Sequence, residues 1–213
     1  MHQLVEALLV SVLVVNFFVL GTSRLNAVIH ASAVEGVLLG ATLLCLRRDW
    51  EALALASGVI VIKGVVIPAL LRGAMREVAI RREVEPFVGF TTSLLLGALA
   101  TGLALLFAGT LPLAPAQAGT LFVPTALATV LTGFLVLTTR RKAISQAVGY
   151  LVLENGVFLM GLTLARALPL VVELGVLLDL LMGVLVIGII INHINRELSS
   201  VEMDTAKLSS LQD

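Results

Sequence analysis

Charge is scarce in this 213-residue chain: 13% of its residues are Asp, Glu, Lys or Arg, and the formal net charge is zero. That balance argues against a nucleic-acid partner. Cysteine is nearly absent. Cys45 stands alone, which excludes an intramolecular disulfide and any Cys cluster for zinc or iron–sulfur ligation. The three histidines, His2, His30 and His193, are scattered and offer no paired haem ligation. No Walker A sequence, no GxGxxG after a strand and no GxSxG elbow occurs. The residues mark no catalytic, cofactor-binding or metal-binding site. Such a chain has no engine of its own, so ion movement against a gradient would draw its energy from a partner.

Apolar residues are abundant. They make up 59% of the chain, and the mean hydropathy is +1.08. A soluble fold of this size has too little interior to hide so much apolar surface, so the solvent is lipid. About 20 apolar residues span a bilayer, and this ruler predicts an all-α membrane protein of seven transmembrane helices. The expected spans are 3–22, 25–46, 51–71, 87–110, 119–139, 143–165 and 168–193. Breaks fall at Thr22-Ser23-Arg24, Arg47-Arg48-Asp49, the charged stretch 72–86, the Pro112/Pro115 loop, Arg140-Arg141-Lys142, and Arg166 to Pro169. The N-terminus has no basic n-region and no convincing cleavage site before Arg24, so it reads as the first span and not as a removed signal.

Orientation follows from the basic residues. Arg47, Arg48 and Arg166 lie on the side of the N-terminus. Arg24, Arg72, Arg76, Arg81, Arg82, Arg140, Arg141, Lys142, Arg196 and Lys207 lie on the other. This bias predicts an integral protein of the cell (inner) membrane, N-terminus outside and C-terminus cytoplasmic. In the 72–86 linker, Glu77 and Arg81 are four apart and Pro86 ends the segment. Two readings fit: a short interfacial helix, or a solvated loop with a helical turn.

Four ionisable residues sit near the middle of apolar stretches: Glu35, Lys63, Glu154 and Asp179. Each costs roughly 2.5–3.5 kcal/mol at the bilayer centre. Together that is on the order of 10 kcal/mol, as large as the net stability of a whole domain. Glu154 and Asp179 fall at similar depth in helices joined by a short turn, so the two acids are expected to face one another. An acid that is charged or neutral at working pH suits a proton relay. The plainer alternative is a protonated acid hydrogen-bonding backbone. Glu35 and Lys63 also match in depth, and a packing ion pair is their plainer alternative. Pro68 has no N–H for the carbonyl of Gly64, which leaves a bare acceptor beside Lys63 and a place for water or a hinge. His30 points about 140° away from Glu35 on an ideal helix. It ranks with Glu173 and Pro68 as a possible accessory. Asn155, Asn192 and Tyr150 read as interhelical hydrogen bonders, and pairs such as Gly156/Gly161 and Gly183/Gly188 as sites of close packing.

An internal duplication is visible. Val34-Glu35-Gly36-Val37 matches Leu153-Glu154-Asn155-Gly156, and each copy follows a basic turn, at Arg24 and at Arg140-Arg141-Lys142. Helices 1–3 and 5–7 would then be parallel repeats about an axis along the membrane normal, in a 3+1+3 arrangement. The corresponding units are 1–72, a linker with helix 4 and the outer loop at 73–118, a second three-helix unit at 119–195, and a cytoplasmic tail at 196–213.

These residues carry a resemblance. Arg140-Arg141, Gly149, Asn155, the run Asp179-Leu180-Leu181-Met182-Gly183 and the tail Ser199-Ser200-Val201-Glu202-Met203 resemble the K subunit of bacterial respiratory complex I and the C subunit of Mrp-type antiporters. The family keeps a glutamate at the position of Asp179. Its other glutamate falls at Leu151 here, and Glu154 lies one turn later on the same helical face. Over the full length, Gly149 to Gly156 and Lys63-Gly64-Val65-Val66-Ile67-Pro68 resemble component E of hydrogenase-4, a membrane subunit of formate-hydrogenlyase-type complexes. The resemblance implies a non-redox subunit of a group 4 NiFe-hydrogenase, binding no cofactor itself, between antiporter-like and membrane-anchor subunits. Those partners would carry the iron–sulfur clusters and the NiFe centre. Glu154, Asp179, Glu35 and Lys63 would be its proton-transfer residues. The alternatives are a purely structural bridge or a subunit of a Mrp-type cation/proton antiporter.

Overall fold

The computed structural model describes residues 2–47, 49–77, 86–111 and 120–164. Among them every regular element is helical. Helix α1 spans His2–Gly21 and α2 spans Leu25–Leu46. The third span begins as α3 (Trp50–Val61), opens into a π-helical turn (Ile62–Val66) and continues as α4 (Ile67–Glu77). Then come α5 (Phe90–Ala108), α6 (Phe122–Thr139) and α7 (Ala143–Leu164). Six of these helices, counting α3 to α4 as one, are long and apolar enough to cross a membrane. The bilayer is the protein's first partner. The expected helix 168–193 lies outside the described residues, as do Glu173, Asp179 and Asn192.

The turns end where the sequence breaks predict. Arg24 is extended and leads into α2, whose first turn bonds back to the Arg24 carbonyl. Asp49 accepts from the Arg47 guanidinium and opens α3, with Leu53 N–H donating to the Asp49 carbonyl. That Arg47 hydrogen bond holds the exposed Asp49 carboxyl below its ordinary value of 3.8. The third span differs from expectation. It runs on to Glu77, past the predicted end at 71, and it is not a plain α-helix. Pro68 removes a donor from the ladder, and the preceding turn widens so that Ile67 N–H donates to the Ile62 carbonyl, five residues back.

The two hairpins α1–α2 and α6–α7 pack side by side, α1 on α6 and α2 on α7, while α5 packs on α1 and α6. The most extensive contact joins α6 and α7. Glycine makes it: a Cβ on Gly149 would lie 2.5 Å from Leu137 N, and one on Gly156 2.5 Å from Val130 N. Gly133 is equally close to the Leu153 backbone. Small residues that let backbones touch are how helices associate in lipid, where no hydrophobic drive holds them together. The expectation for Gly156 is met.

The buried apolar residues form two clusters at opposite depths. One holds Val19, Leu25, Val28, Ile29, Ile67, Leu71, Val136, Val148, Leu151 and Val152, toward the basic turns. The other holds Val5, Leu9, Val12, Leu39, Leu43, Ala56, Val59, Phe122, Phe158 and Leu159, toward the far ends of the same helices. Between them lies a layer of polar side chains.

Candidate functional site

Each helix of the core gives this layer a polar residue between its two apolar segments. In α1, Asn16 separates Val12 from Val19. In α2, Ser32 and Glu35 separate Ala31 from Leu39. The π turn supplies Lys63, between Val59 and Ile67. On α6, Thr129 and Thr132 separate Ala126 from Val136, and on α7 Glu154 and Asn155 separate Val152 from Phe158. All are buried, Glu35 at 0% and Glu154 at 1% relative exposure.

Lys63 is the hub. Its ammonium donates to Glu154 Oε1 at 2.6 Å and to Asn155 Oδ1 at 3.1 Å, with the Phe158 ring 5.9 Å away. Asn155 Nδ2 donates to Glu35 Oε2 at 2.9 Å. The amide is thus polarised, its oxygen toward the cation and its nitrogen toward the second carboxyl. Glu35 Oε1 has no hydrogen-bond partner among the described residues. Gly36 allows the approach: a Cβ there would lie 2.6 Å from Lys63 Cβ. The wide turn carries Lys63 against α2 and points its amine past it toward α7.

This pairing differs from the one expected. The matching depths of Glu35 and Lys63 offer a packing ion pair between them as the plainer alternative. The ammonium instead contacts Glu154 on α7, and Glu35 joins through Asn155. Asn155 is the interhelical hydrogen bonder that its sequence suggests. Glu154, not Leu151, lies in the polar layer; Leu151 packs into the apolar cluster beside it. His30 stays out of the network, as its helical angle predicts. It is exposed, and its Nδ1 lies 2.6 Å from the Asn26 carbonyl; because that oxygen only accepts, Nδ1 carries the hydrogen. Pro68 supports the site through the π turn and bonds nothing in the network. Its carbonyl accepts from Arg72 Nε at 3.1 Å.

Two features escape a reading by charge alone. Asn16 Nδ2 donates to Thr129 Oγ1 at 2.8 Å, extending the layer across α1 and α6. An amide in an otherwise apolar run was the available signal. Arg140, counted among the loop cations, is only 2% exposed. Its guanidinium donates to the Leu20 carbonyl at 2.7 Å and the Val88 carbonyl at 3.3 Å, and stacks 4.5 Å from the Phe90 ring centroid. A cation there also meets the negative end of the α1 dipole. Beside it, Phe87 N–H donates to the Thr139 carbonyl at 2.9 Å. Arg140 therefore ties the ends of α1 and α6 to the start of α5.

The arrangement can hold charge at mid-depth, exchange a cation's partner between two acids, and bind or release a proton. Among the described residues no group of His, Cys, Asp and Glu could hold a metal ion. No family model matches the chain and no solved structure does. A protein of Mycobacterium tuberculosis (strain ATCC 25618 / H37Rv), described as the uncharacterized protein Rv0085, is 38% identical over 195 residues, covering 89% of this chain and 87% of the relative. On an identity that high along nearly the whole of both chains, this protein belongs to the family of Rv0085.

Proposed function

We propose that this chain is a non-redox membrane subunit of a complex I-related, group 4 NiFe-hydrogenase complex of the formate-hydrogenlyase type. In that role its polar layer takes part in moving protons along the membrane arm. One observation carries the reading. Two carboxyls are linked to one ammonium, Lys63, between the apolar clusters: Glu154 directly and Glu35 through Asn155. With all three ionised, the layer's described residues carry one negative charge too many, and an uncompensated charge there is costly. A single proton balances it.

With Lys63 against Glu154, the proton belongs on Glu35. If Lys63 moves toward Asn155 and Glu35, Glu154 becomes the acid that takes the proton. The π turn and Pro68 give that segment an alternative ladder, and such turns recur where helices must rearrange. Electron transfer in the partner subunits, which would hold the iron–sulfur clusters and the NiFe centre, supplies the drive.

The finer architecture belongs to the same proposal. A seventh span at 168–193 completes a 3+1+3 arrangement of two parallel repeats, and the packing of α1–α2 against α6–α7 supports it. Asp179 then lies on the helix equivalent to the one that carries Lys63, with Glu173 toward the outer surface. The cluster of basic residues at the turns favours the N-terminus outside.

The test is to extract native membranes in mild detergent, pull on a C-terminal tag and identify what co-purifies. Hydrogenase and antiporter-like subunits are the expected result. Antiporter subunits alone would point to a Mrp-type assembly. In the intact complex, E154Q with D179N should leave assembly and hydrogen metabolism in place and abolish proton movement; proton movement that persists overturns the proposal. The structural-bridge reading has its own support, since Lys63 and Asn155 tie three segments together. K63M with E35Q that lowers the yield of complex, with normal activity in each complex formed, would favour it.

A further inference from the structure

Ionisable residues within membrane spans almost always face the protein interior. His30 does not: it lies near the start of α2 and is exposed. It borders a groove of about 490 Å³ between α1 and α2, a volume in the range that holds a small organic molecule. Val14 and Phe18 on α1 and Val34 on α2 are its exposed apolar walls, while Ala27 and the buried Ala31 are small and leave the floor deep. Ala27, His30, Ala31 and Val34 follow the i, i+3, i+4, i+7 spacing of one helical face.

Toward the basic turns, the helices that wall the groove are joined by Thr22-Ser23-Arg24. Arg24 is exposed there, and the turn contains no acid to offset it. His30 follows Arg24 by six residues, about 9 Å of helical rise. The headgroup layer is roughly 5–8 Å deep on each side of the hydrocarbon, so the imidazole sits at the inner edge of that layer. Its Nδ1 is committed to the Asn26 carbonyl at 2.6 Å, which leaves Nε2 for a partner outside the chain. A phosphate meets Nε2 when the ring is protonated, and a headgroup hydroxyl meets it when the ring is neutral. Plain acyl chains would leave that nitrogen unsatisfied.

We propose that the α1–α2 groove holds one anionic phospholipid of the leaflet on the side of the basic turns. Its phosphate lies between Arg24 and His30, and an acyl chain runs along Val14, Ala31 and Val34. Charge selects the headgroup, because a zwitterionic lipid brings its own ammonium toward Arg24. Helix α5 offers the contrast: it also exposes Leu99, Leu103 and Leu106, but it carries no charged residue between Phe90 and Ala108. The site uses no residue of the polar layer, so it stands or falls apart from the proton-moving reading.

The test is native mass spectrometry of the full chain in mild detergent, titrated with dioleoyl phosphatidylglycerol or dioleoyl phosphatidylcholine. One phosphatidylglycerol should be retained, roughly tenfold more tightly than phosphatidylcholine. R24Q should weaken that binding by roughly fivefold, and A27F, which fills the groove, should abolish it. R141Q removes the same charge from the turn of the other hairpin and should leave binding unchanged. Equal affinity for the two lipids overturns the site, as does equal weakening by R24Q and R141Q, which would mean general attraction to a basic surface. Should A27F fail to fold, R24Q in its exposed turn still decides. A phosphatidylglycerol with a photoreactive acyl chain locates the site in nanodiscs. Crosslinks should concentrate between Val14 and Phe18 and between Ala27 and Val34; an even spread onto α5 overturns the proposal. The same probe in native membranes asks what occupies the groove there, and a groove covered by another polypeptide in place of lipid also overturns it.

Discussion

Lys63 and Arg140 are both buried cations, and they are held in opposite ways. Lys63 sits at mid-depth on a carboxylate, with an amide leading to a second carboxyl. Arg140 sits where α6 ends, and the two partners described for its guanidinium, the Leu20 and Val88 carbonyls, cannot gain or lose protons at any working pH. A cation on carbonyls is a fixed clasp. A cation between two acids can change partner whenever a proton changes hands. Burial and charge alone therefore do not mark a functional site; the titratability of the partners does.

The sharpest way to test this contrast is a pair of substitutions with and without rescue. Removing the amine in K63M leaves Glu154 buried without its cation, and should cost about 3–5 kcal/mol in unfolding from lipid–detergent micelles. Adding E154Q should recover most of that loss, because the unpaired charge is gone. R140A should cost about 2–4 kcal/mol, the sum of two carbonyls left unsatisfied. R140K should recover less than half, because a point-like ammonium cannot match the two-pronged guanidinium. If R140K restores full stability, the clasp is not what the geometry implies.

The next effect is smaller in stability. E35Q keeps a hydrogen-bonding side chain beside Asn155 and should change unfolding by less than about 1 kcal/mol. In the intact complex it should nonetheless reduce proton movement per hydrogen handled. The smallest effect is at the surface turn. Arg47 holds the exposed Asp49 carboxyl below 3.8. Its contribution is therefore complete above that value and fades as pH falls through the lowered one. The melting temperature of D49N should lie slightly below that of the parent at pH 7 and converge with it on acidification; a constant gap would contradict the assignment. Being exposed, this pair contributes little in any case.

Much of the bundle was legible in the sequence. Runs of about 20 apolar residues and their basic or proline breaks located six spans, because length and hydropathy decide that question in lipid. Glu35, Lys63 and Glu154 stood out because charge at that depth is costly. Their pairing was not legible: equal depth names candidates, but which side chains meet depends on how the hairpins pack, and here Gly36 and the π turn send Lys63 across to α7. Pro68 announced a broken ladder without saying that the turn would widen by a residue. Arg140 was hidden by its place in a basic cluster, where Arg141 and Lys142 follow the ordinary pattern of interfacial cations. Asn16 was hidden by its neutrality.

The central claim is that Glu35, Lys63 and Glu154 together hold one exchangeable proton and that Glu35 carries it while Lys63 is bound to Glu154. Infrared spectroscopy of the purified protein in lipid nanodiscs at neutral pH tests this directly, through the carbonyl stretch of a protonated carboxyl. The account predicts such a band in the unsubstituted protein, lost in E35Q and retained in R140K. A spectrum unchanged by E35Q would contradict it.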